Sequence, residues 1–510
     1  MIGMNMLSPL KLLLLGVCWP AMLSAQTLLD TTFLQQLDLS TVQADYNPSA
    51  QYGLVLYRVR YITPDVAGLP DTASGLLCVP LADTTPVSLA QFPLLCYQHG
   101  TVLSKVDVPS RLEGGSFAAI GLASYGFITC AADYLGLGDS RGFHPYLHAA
   151  TEASASLDML YAVRRLLLAS FPQQTDTCLN LFVAGYSQGG HAALAVQQVL
   201  ETDTMAQRAF HLKASAPMAG PYDLSGTMRA FAIENPAYPV KGFGVGLIAG
   251  YQRAYGTIYD QVSDVFKPAY VPAVEQFLQD SINDAFTLEV NLFLSGAGGL
   301  AFQEILADSF WQAFSQDSLH PLRVALREND LYRWAPITPT RLLYCPDDDI
   351  VAGANSVLAD SVMNALGATD LMAVNVDTMG QGLDHSACGT PAVQGAYAFF
   401  QSVGLDSLFR PCPGDSMADS TVSLISVAEL PISVYPMPFD EQLQLVMPTE
   451  IGALRSVTVR DLQGKLIWRN DRPGQPDRIQ ITTTTWPTGV YLLQVRTTEQ
   501  RYARLIQCSR

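Results

Sequence analysis

Ser187 sits in Gly185-Tyr186-Ser187-Gln188-Gly189, between an apolar run at 179–184 and an Ala-rich stretch that favours helix. A strand that turns sharply into a helix at Gly-x-Ser-x-Gly holds its serine on a strained backbone at the end of a sheet, as a nucleophile elbow does. Such a serine needs a base for its proton and a carboxylate to hold that base in the right tautomer. It also needs N–H donors that face the oxyanion formed when a carbonyl is attacked. In folds that use this elbow the chain order is serine, acid, histidine. The acid is expected in Tyr344-Cys345-Pro346-Asp347-Asp348-Asp349-Ile350-Val351, directly after an apolar run. An Asp-x-apolar-Val spacing selects Asp348, with Asp349 the alternative; the same segment also reads as an acidic turn or a cation-binding loop. Of 7 histidines, His385 is the one downstream of this acid, in a glycine-bounded loop at 382–389. The oxyanion donors are expected at the backbone N–H groups of Thr101, in Gln98-His99-Gly100-Thr101, and of Gln188. His191, four residues past Ser187, is expected to pack nearby, and His144 and His148 to line a pocket.

These groups need a scaffold. Strands are expected at 51–63 (near a sheet edge), 74–80, 92–98, 126–132, 179–186, 213–219, 341–345 and 371–376, with a turn over 64–73. Helices are expected at 151–168, after Ser187, and at 392–403. Strands interleaved with helices imply an α/β fold, a mostly parallel sheet covered on both faces, with its chemistry at the C-terminal strand ends. From 221 to 335 aromatics and glycines are frequent and alternation is scarce, which predicts a helical cap insertion over the site, or else a helical layer on the sheet's flank. Residues 411–430 read as a linker. Beyond them, alternating runs at 442–446, 457–460, 466–468, 479–483 and 491–496 predict a small all-β sandwich over 431–510. The catalytic region is then 26–410.

The net charge of −17 and the lack of a basic run exclude nucleic acid as a partner. With 49% hydrophobic and 15% charged residues the chain can bury a large core. Lys11, an apolar stretch to about residue 23 and a small residue at Ala25 read as a secretory signal over 1–25, too short to span a bilayer. No later run is long enough to span. Of 9 cysteines, Cys18 falls in this signal, Cys96 and Cys130 lie in strand-like runs, and no Cys-x-x-Cys exists. Cys345, Cys388 and Cys412 are candidates for proximity with no pairing assigned. No metal or cofactor is called for.

Two resemblances add to this reading. Residues 90–400 resemble the secretory lipase branch of the α/β-hydrolases, the group containing fungal lipase A. The matching stretches are Tyr97-Gln98-His99-Gly100-Thr101, Asp133-Tyr134-Leu135-Gly136-Leu137-Gly138, Gly185-Tyr186-Ser187-Gln188-Gly189-Gly190-His191-Ala192, Asp348-Asp349-Ile350-Val351 and Asp384-His385. The resemblance implies a cap between the sixth strand and the acid, and activity on carboxylic esters. The C-terminal unit is similar to type IX secretion sorting domains, through Val434-Tyr435-Pro436-Met437-Pro438-Phe439, the run Val457-Thr458-Val459-Arg460-Asp461-Leu462-Gln463-Gly464-Lys465 and Pro487-Thr488-Gly489-Val490-Tyr491. That implies a Gram-negative source, engagement of the secretion machinery, and a place outside the cell or on its surface. The expected activity is hydrolysis of a small-molecule or lipid ester through an acyl-enzyme. The alternatives are a serine peptidase of the same fold and a non-catalytic adhesin.

Overall fold

The computed structural model describes residues 27–81, 89–170, 177–233, 235, 238–279, 285–411, 433–435, 439–446, 454–461, 466–470, 478–487, 489–497 and 501–508. The expected signal at 1–25, most of the expected linker, and Cys18 and Cys412 lie outside the described residues.

Ten strands build the main sheet: β1 (Leu28–Leu37), β2 (Gly53–Pro64), β3 (Pro70–Leu81), β4 (Leu94–Gln98), β5 (Ile128–Ala132), β6 (Thr177–Tyr186), β7 (Phe210–Met218), β8 (Thr340–Tyr344), β9 (Leu371–Asn375) and β10 (Phe409–Pro411). Their order is β1-β2-β3-β5-β4-β6-β7-β8-β9, with β10 paired to the start of β6. From β5 to β9 all pairings are parallel; β1, β2 and β3 join antiparallel at one side. The edge is β1, and β2, the 51–63 run expected near an edge, lies beside it. The β2–β3 hairpin is tighter than the expected 64–73 turn. Pro64 pairs with Pro70, and the Asp65 carboxylate accepts from the N–H groups of Ala67 and Leu69 while Gly68 takes φ +76°.

β4, β5 and β6 are mostly apolar and buried because both faces of the sheet are covered. Leu94, Cys96, Leu181 and Val183 face one core with α3 (Ala149–Ser170) and α4 (Gln188–Thr202). Leu95, Tyr97, Phe182 and Ala184 face another with α2 (Ser116–Ala123) and the last helix, His385–Val403. Each such Leu, Val or Phe contributes about 1.5–3 kcal/mol on burial. The helix α1 (Leu39–Asp45) lies on the second face through Val42, and α5 (Thr204–Ala209) leads into β7.

Between β7 and β8 the chain forms a π-helical segment, Leu224–Ile233, and then α6 (Lys241–Tyr255), α7 (Val262–Val265), α8 (Val271–Leu278), α9 (Ala285–Leu292), α10 (Phe302–Ile305), α11 (Asp308–Gln316) and α12 (Pro321–Glu328). They share a core of their own, with Val245, Tyr251, Phe277, Phe302 and Phe314. Leu103, Tyr146, Leu147 and Val351, from loops at the strand ends, join it. After β8 come α13 (Ala354–Ala365) and α14 (His385–Val403).

The C-terminal strands are β11 (Ser433–Tyr435), β12 (Gln442–Val446), β13 (Leu454–Asp461), β14 (Leu466–Asn470), β15 (Arg478–Thr482), β16 (Gly489–Thr497) and β17 (Arg501–Cys508). They form two antiparallel sheets, β11-β12-β15 and β14-β13-β16-β17. Alternate residues Leu443, Leu445, Ile479, Ile481, Val457, Val459, Leu493 and Val495 share one core, with Phe439, Trp486 and Tyr491 in ring contact inside it.

Candidate active site

The C-terminal ends of β4, β6, β8 and β9 lie along one edge of the parallel sheet and deliver the groups picked from the sequence. Ser187 joins β6 to α4 at φ 62°, ψ −122°, a region that side chains other than glycine rarely occupy. Its neighbours explain how the turn closes. A Cβ on Gly185 would lie 2.1 Å from Gly189 O and 2.6 Å from Gln98 Cβ. One on Gly189 would lie 2.0 Å from Gln98 O. The start of α4 is thus pressed against the 98–101 loop, where only glycine fits.

Ser187 Oγ donates to His385 Nε2 at 2.8 Å, and His385 Nδ1 donates to Asp348 Oδ2 at 2.7 Å. The Asp348 side chain is 1% exposed and that of His385 14%. The other Asp348 oxygen, Oδ1, accepts from the N–H groups of Ile350 at 3.0 Å and Val351 at 2.8 Å, which fixes the rotamer. Asp349 is exposed and does something different. Its Oδ1 accepts from the His385 backbone N–H at 3.1 Å. The geometry therefore puts Asp348 on the imidazole and Asp349 on the backbone of the same histidine. Asp347 is exposed.

His385 is the first residue of α14. Asp384 caps that helix by accepting from Ala387 N–H at 2.8 Å. The Tyr186 hydroxyl donates to the His385 carbonyl, and its ring packs on the imidazole with centroids 5.0 Å apart. A disulfide joins Cys345 to Cys388, with Cα atoms 6.1 Å apart. It links the end of β8, three residues before Asp348, to the first turn of α14. No sequence signal fixed that pairing. Cys178 is also disulfide-bonded, while Cys78, Cys96 and Cys130 are buried free thiols, with Cys96 pushed up to about 12 by burial.

The 98–101 loop lies against the elbow, since a Cβ on Gly100 would meet Tyr186 O at 3.4 Å. Thr101 Oγ1 is 3.0 Å from the Tyr146 hydroxyl. Gln188 begins α4, where the first N–H groups have no partner within the helix. His99 is buried, with Nδ1 2.7 Å from Gly100 O. His191 is fully buried, Nδ1 against Glu152 Oε2 at 2.7 Å. His144 is buried and its Nε2 lies 2.8 Å from Gln188 Nε2. His148 pairs with Thr151 at the start of α3. Beside Ser187 and Gln188 opens a narrow cavity of ≈ 60 Å³, walled mainly by apolar groups such as Leu224, Met228, Ile233, Phe243 and Phe302. Tyr146 and Leu147 line it, in place of the expected His144 and His148. A larger open hollow of ≈ 710 Å³ runs between β9 and α14, lined by Val374, Asp377, Met379, Pro391 and Phe399. None of Ser187, Asp348 or His385 lines it, so the smaller cavity is the one that meets the serine. Among the described residues, no group of three or more His, Cys, Asp or Glu is placed to hold a metal ion, and no helix is long and apolar enough to cross a membrane.

Comparison with known proteins gives the same architecture. The rice cell wall degrading esterase LipA from Xanthomonas oryzae superposes with a TM-score of 0.61 at 27% identity, over 74% of this chain and 96% of that one. A ligand-bound form of the same esterase gives 0.63 and 27% over 73% and 97%. Candida antarctica lipase A gives 0.51 at 12% identity over 73% and 83%, a likeness of fold. Residues 433–507 match the family described as secretion system C-terminal sorting domain. No curated protein matches the chain. The main sheet is thus an α/β-hydrolase fold, and the chain is a hydrolase-like protein addressed by its tail for export through type IX secretion to the cell surface or beyond.

Proposed function

We propose that this is an exported serine carboxylic ester hydrolase. The observation that carries the reading is the unbroken contact from Ser187 Oγ through the His385 ring to the buried Asp348 carboxylate. Ser187 Oγ attacks the ester carbonyl carbon as its proton passes to His385 Nε2. The carbonyl π pair moves onto oxygen, which accepts from the N–H groups of Gln188 and Thr101; one such donor is worth about 3 kcal/mol of barrier. The C–O bond to the alcohol then breaks, and the leaving oxygen takes the proton from Nε2. Water attacks the acyl-enzyme with His385 again as base, and Ser187 leaves with its proton restored. Asp348 accepts from Nδ1 throughout and holds the tautomer in which Nε2 is free to take a proton.

The helical region between β7 and β8 serves as the cap in this reading, since its residues wall the cavity at Ser187. The cavity's mainly apolar walls favour an apolar acyl group. Two measurements test the proposal. A fluorophosphonate should label Ser187, and Ser187→Ala should abolish both labelling and ester turnover. Nitrophenyl esters from acetyl to octanoyl should turn over faster than aminoacyl-arylamides run beside them. An unlabelled Ser187, or amides cleaved faster than esters, would overturn it.

A further inference from the structure

Beneath the elbow lies a chain of buried polar groups that the acyl-transfer steps leave unused. Glu152, in the first turn of α3, is fully buried. Its Oε1 accepts from Gln188 Nε2 at 2.8 Å, and its Oε2 lies 2.7 Å from His191 Nδ1. His191 Nε2 lies 3.0 Å from the Asn329 carbonyl oxygen. Gln188 Nε2 also lies 2.8 Å from His144 Nε2, and His144 Nδ1 lies 2.8 Å from the Leu135 carbonyl oxygen.

The two terminal carbonyls orient everything between them, because a carbonyl oxygen can only accept. Leu135 O requires a hydrogen on His144 Nδ1. Burial pushes His144 down to about 4, so its Nε2 is a bare acceptor. The amide nitrogen of Gln188 then gives one hydrogen to His144 and the other to Glu152. A flipped amide would set its oxygen against a carboxylate and a bare ring nitrogen. The clamp persists although it leaves the buried Gln188 Oε1 without a hydrogen-bond partner. At the other end, Asn329 O requires a hydrogen on His191 Nε2, and one further proton lies between His191 Nδ1 and Glu152. Asn329 is itself a junction. Its Oδ1 accepts from Ala149 N–H at the start of α3, and its Nδ2 donates to the Tyr255 hydroxyl at the end of α6 and to Ala325 O in α12.

We infer that Glu152 is a positioning residue for acyl transfer. Through the Gln188 side chain it fixes the peptide plane whose N–H faces the oxyanion, and through His191 and Asn329 it ties that plane to the helical region. The inference rests on the serine hydrolase reading above. Sequence spacing hides it, since Glu152, Gln188 and Asn329 meet only in the fold.

The test uses the full chain and the rate at which a fluorophosphonate modifies Ser187, followed by intact mass. That reaction depends on the same oxyanion donors whatever the natural ester. Glu152→Ala should slow labelling about 10- to 100-fold, the range for a misplaced reacting group. Glu152→Gln should recover most of the loss. Its amide oxygen accepts from Gln188, and its amide nitrogen donates to His191 Nδ1 while Nε2 still serves Asn329. Gln188→Met, which lacks both donors, should be slowed comparably, and the double variant Glu152→Ala/Gln188→Met should be no slower than Gln188→Met alone. A folded Glu152→Ala labelled at the wild-type rate would overturn the inference and leave the serine reading intact. An additive double variant, or Glu152→Gln as slow as Glu152→Ala, would do the same. Should Glu152→Ala not fold, Gln188→Met decides, and labelling at the wild-type rate overturns the inference. Wild-type protein unlabelled at Ser187 overturns both.

Discussion

Replacing Asp348 with asparagine should all but silence the enzyme, whereas the same change at Asp349 should not. At Asp348 the backbone dictates how an asparagine must sit. Two N–H groups, those of Ile350 and Val351, point at Oδ1 from 3.0 and 2.8 Å and require an acceptor there. The amide oxygen takes that place, so the NH₂ occupies the position of Oδ2, 2.7 Å from His385 Nδ1. A donor facing Nδ1 stabilises the tautomer with its hydrogen on Nε2, which cannot accept the proton of Ser187. In triads of this kind the wrong tautomer lowers kcat by about 10⁴-fold, or about 5.5 kcal/mol of barrier. At Asp349 an asparagine oxygen still accepts from the His385 N–H. Even Asp349→Ala removes a single hydrogen bond on an exposed residue, worth about 0.5–1.5 kcal/mol net. If all of that appeared in the barrier, the loss would be roughly 2- to 10-fold. The two positions should therefore differ by about a thousandfold in kcat/KM on nitrophenyl butyrate, with melting curves showing each variant folded. An Asp349→Ala loss as deep as that of Asp348→Asn would refute the assignment.

Two further outcomes follow from the same geometry. The Cys345–Cys388 disulfide closes a loop with a sequence separation of 43. By loop entropy that is about 4 kcal/mol. Paired substitution with serine should therefore lower Tm by about 5 °C, given a melting entropy of ~2 cal/mol/K per residue, and should reduce kcat; an unchanged Tm would contradict this. Acid should act through His144. The native protein keeps this ring neutral down to about 4 because of burial, whereas an unfolded chain protonates it near the ordinary histidine value of 6.5. Its contribution is therefore complete above 6.5 and is lost as pH falls from there towards 4, about 3 kcal/mol in all. Urea midpoints at pH 7 and pH 4 should lie closer together in His144→Asn than in the wild type, and an identical pH slope in both proteins would refute the argument.

Much of the scaffold could be read from the sequence because its signals are local. The run into Ser187 and the glycines around it are legible as β6, the elbow and α4, although the glycines are required by the distant 98–101 loop. Spacing selects Asp348 with Asp349 as the alternative, because the final choice rests on side-chain direction, set by the two N–H groups of the following turn. The last helix is expected at 392–403. In the fold α14 begins at His385 and carries Pro391 within it. Its first turn is held by the Asp384 cap, by Asp349 and by Cys388. The strand β1 has no clear signal in the sequence, because its polar residues do not alternate cleanly, and its pairing with β2 is broken by two register shifts. Glu152 and His191 lie on helices whose sequences read as packing surfaces, and only tertiary contact brings the carboxylate to the ring.

The bridge between Cys345 and Cys388 fastens the loop that carries Asp348 to the helix that begins at His385. Thiols remain reduced in the cytosol and pair in oxidising surroundings, and the tail of this chain addresses it outward. With the thiols reduced, Asp348 and His385 are held together by non-covalent contacts alone. In oxidising surroundings outside the cytosol the bridge adds a covalent tie to those contacts.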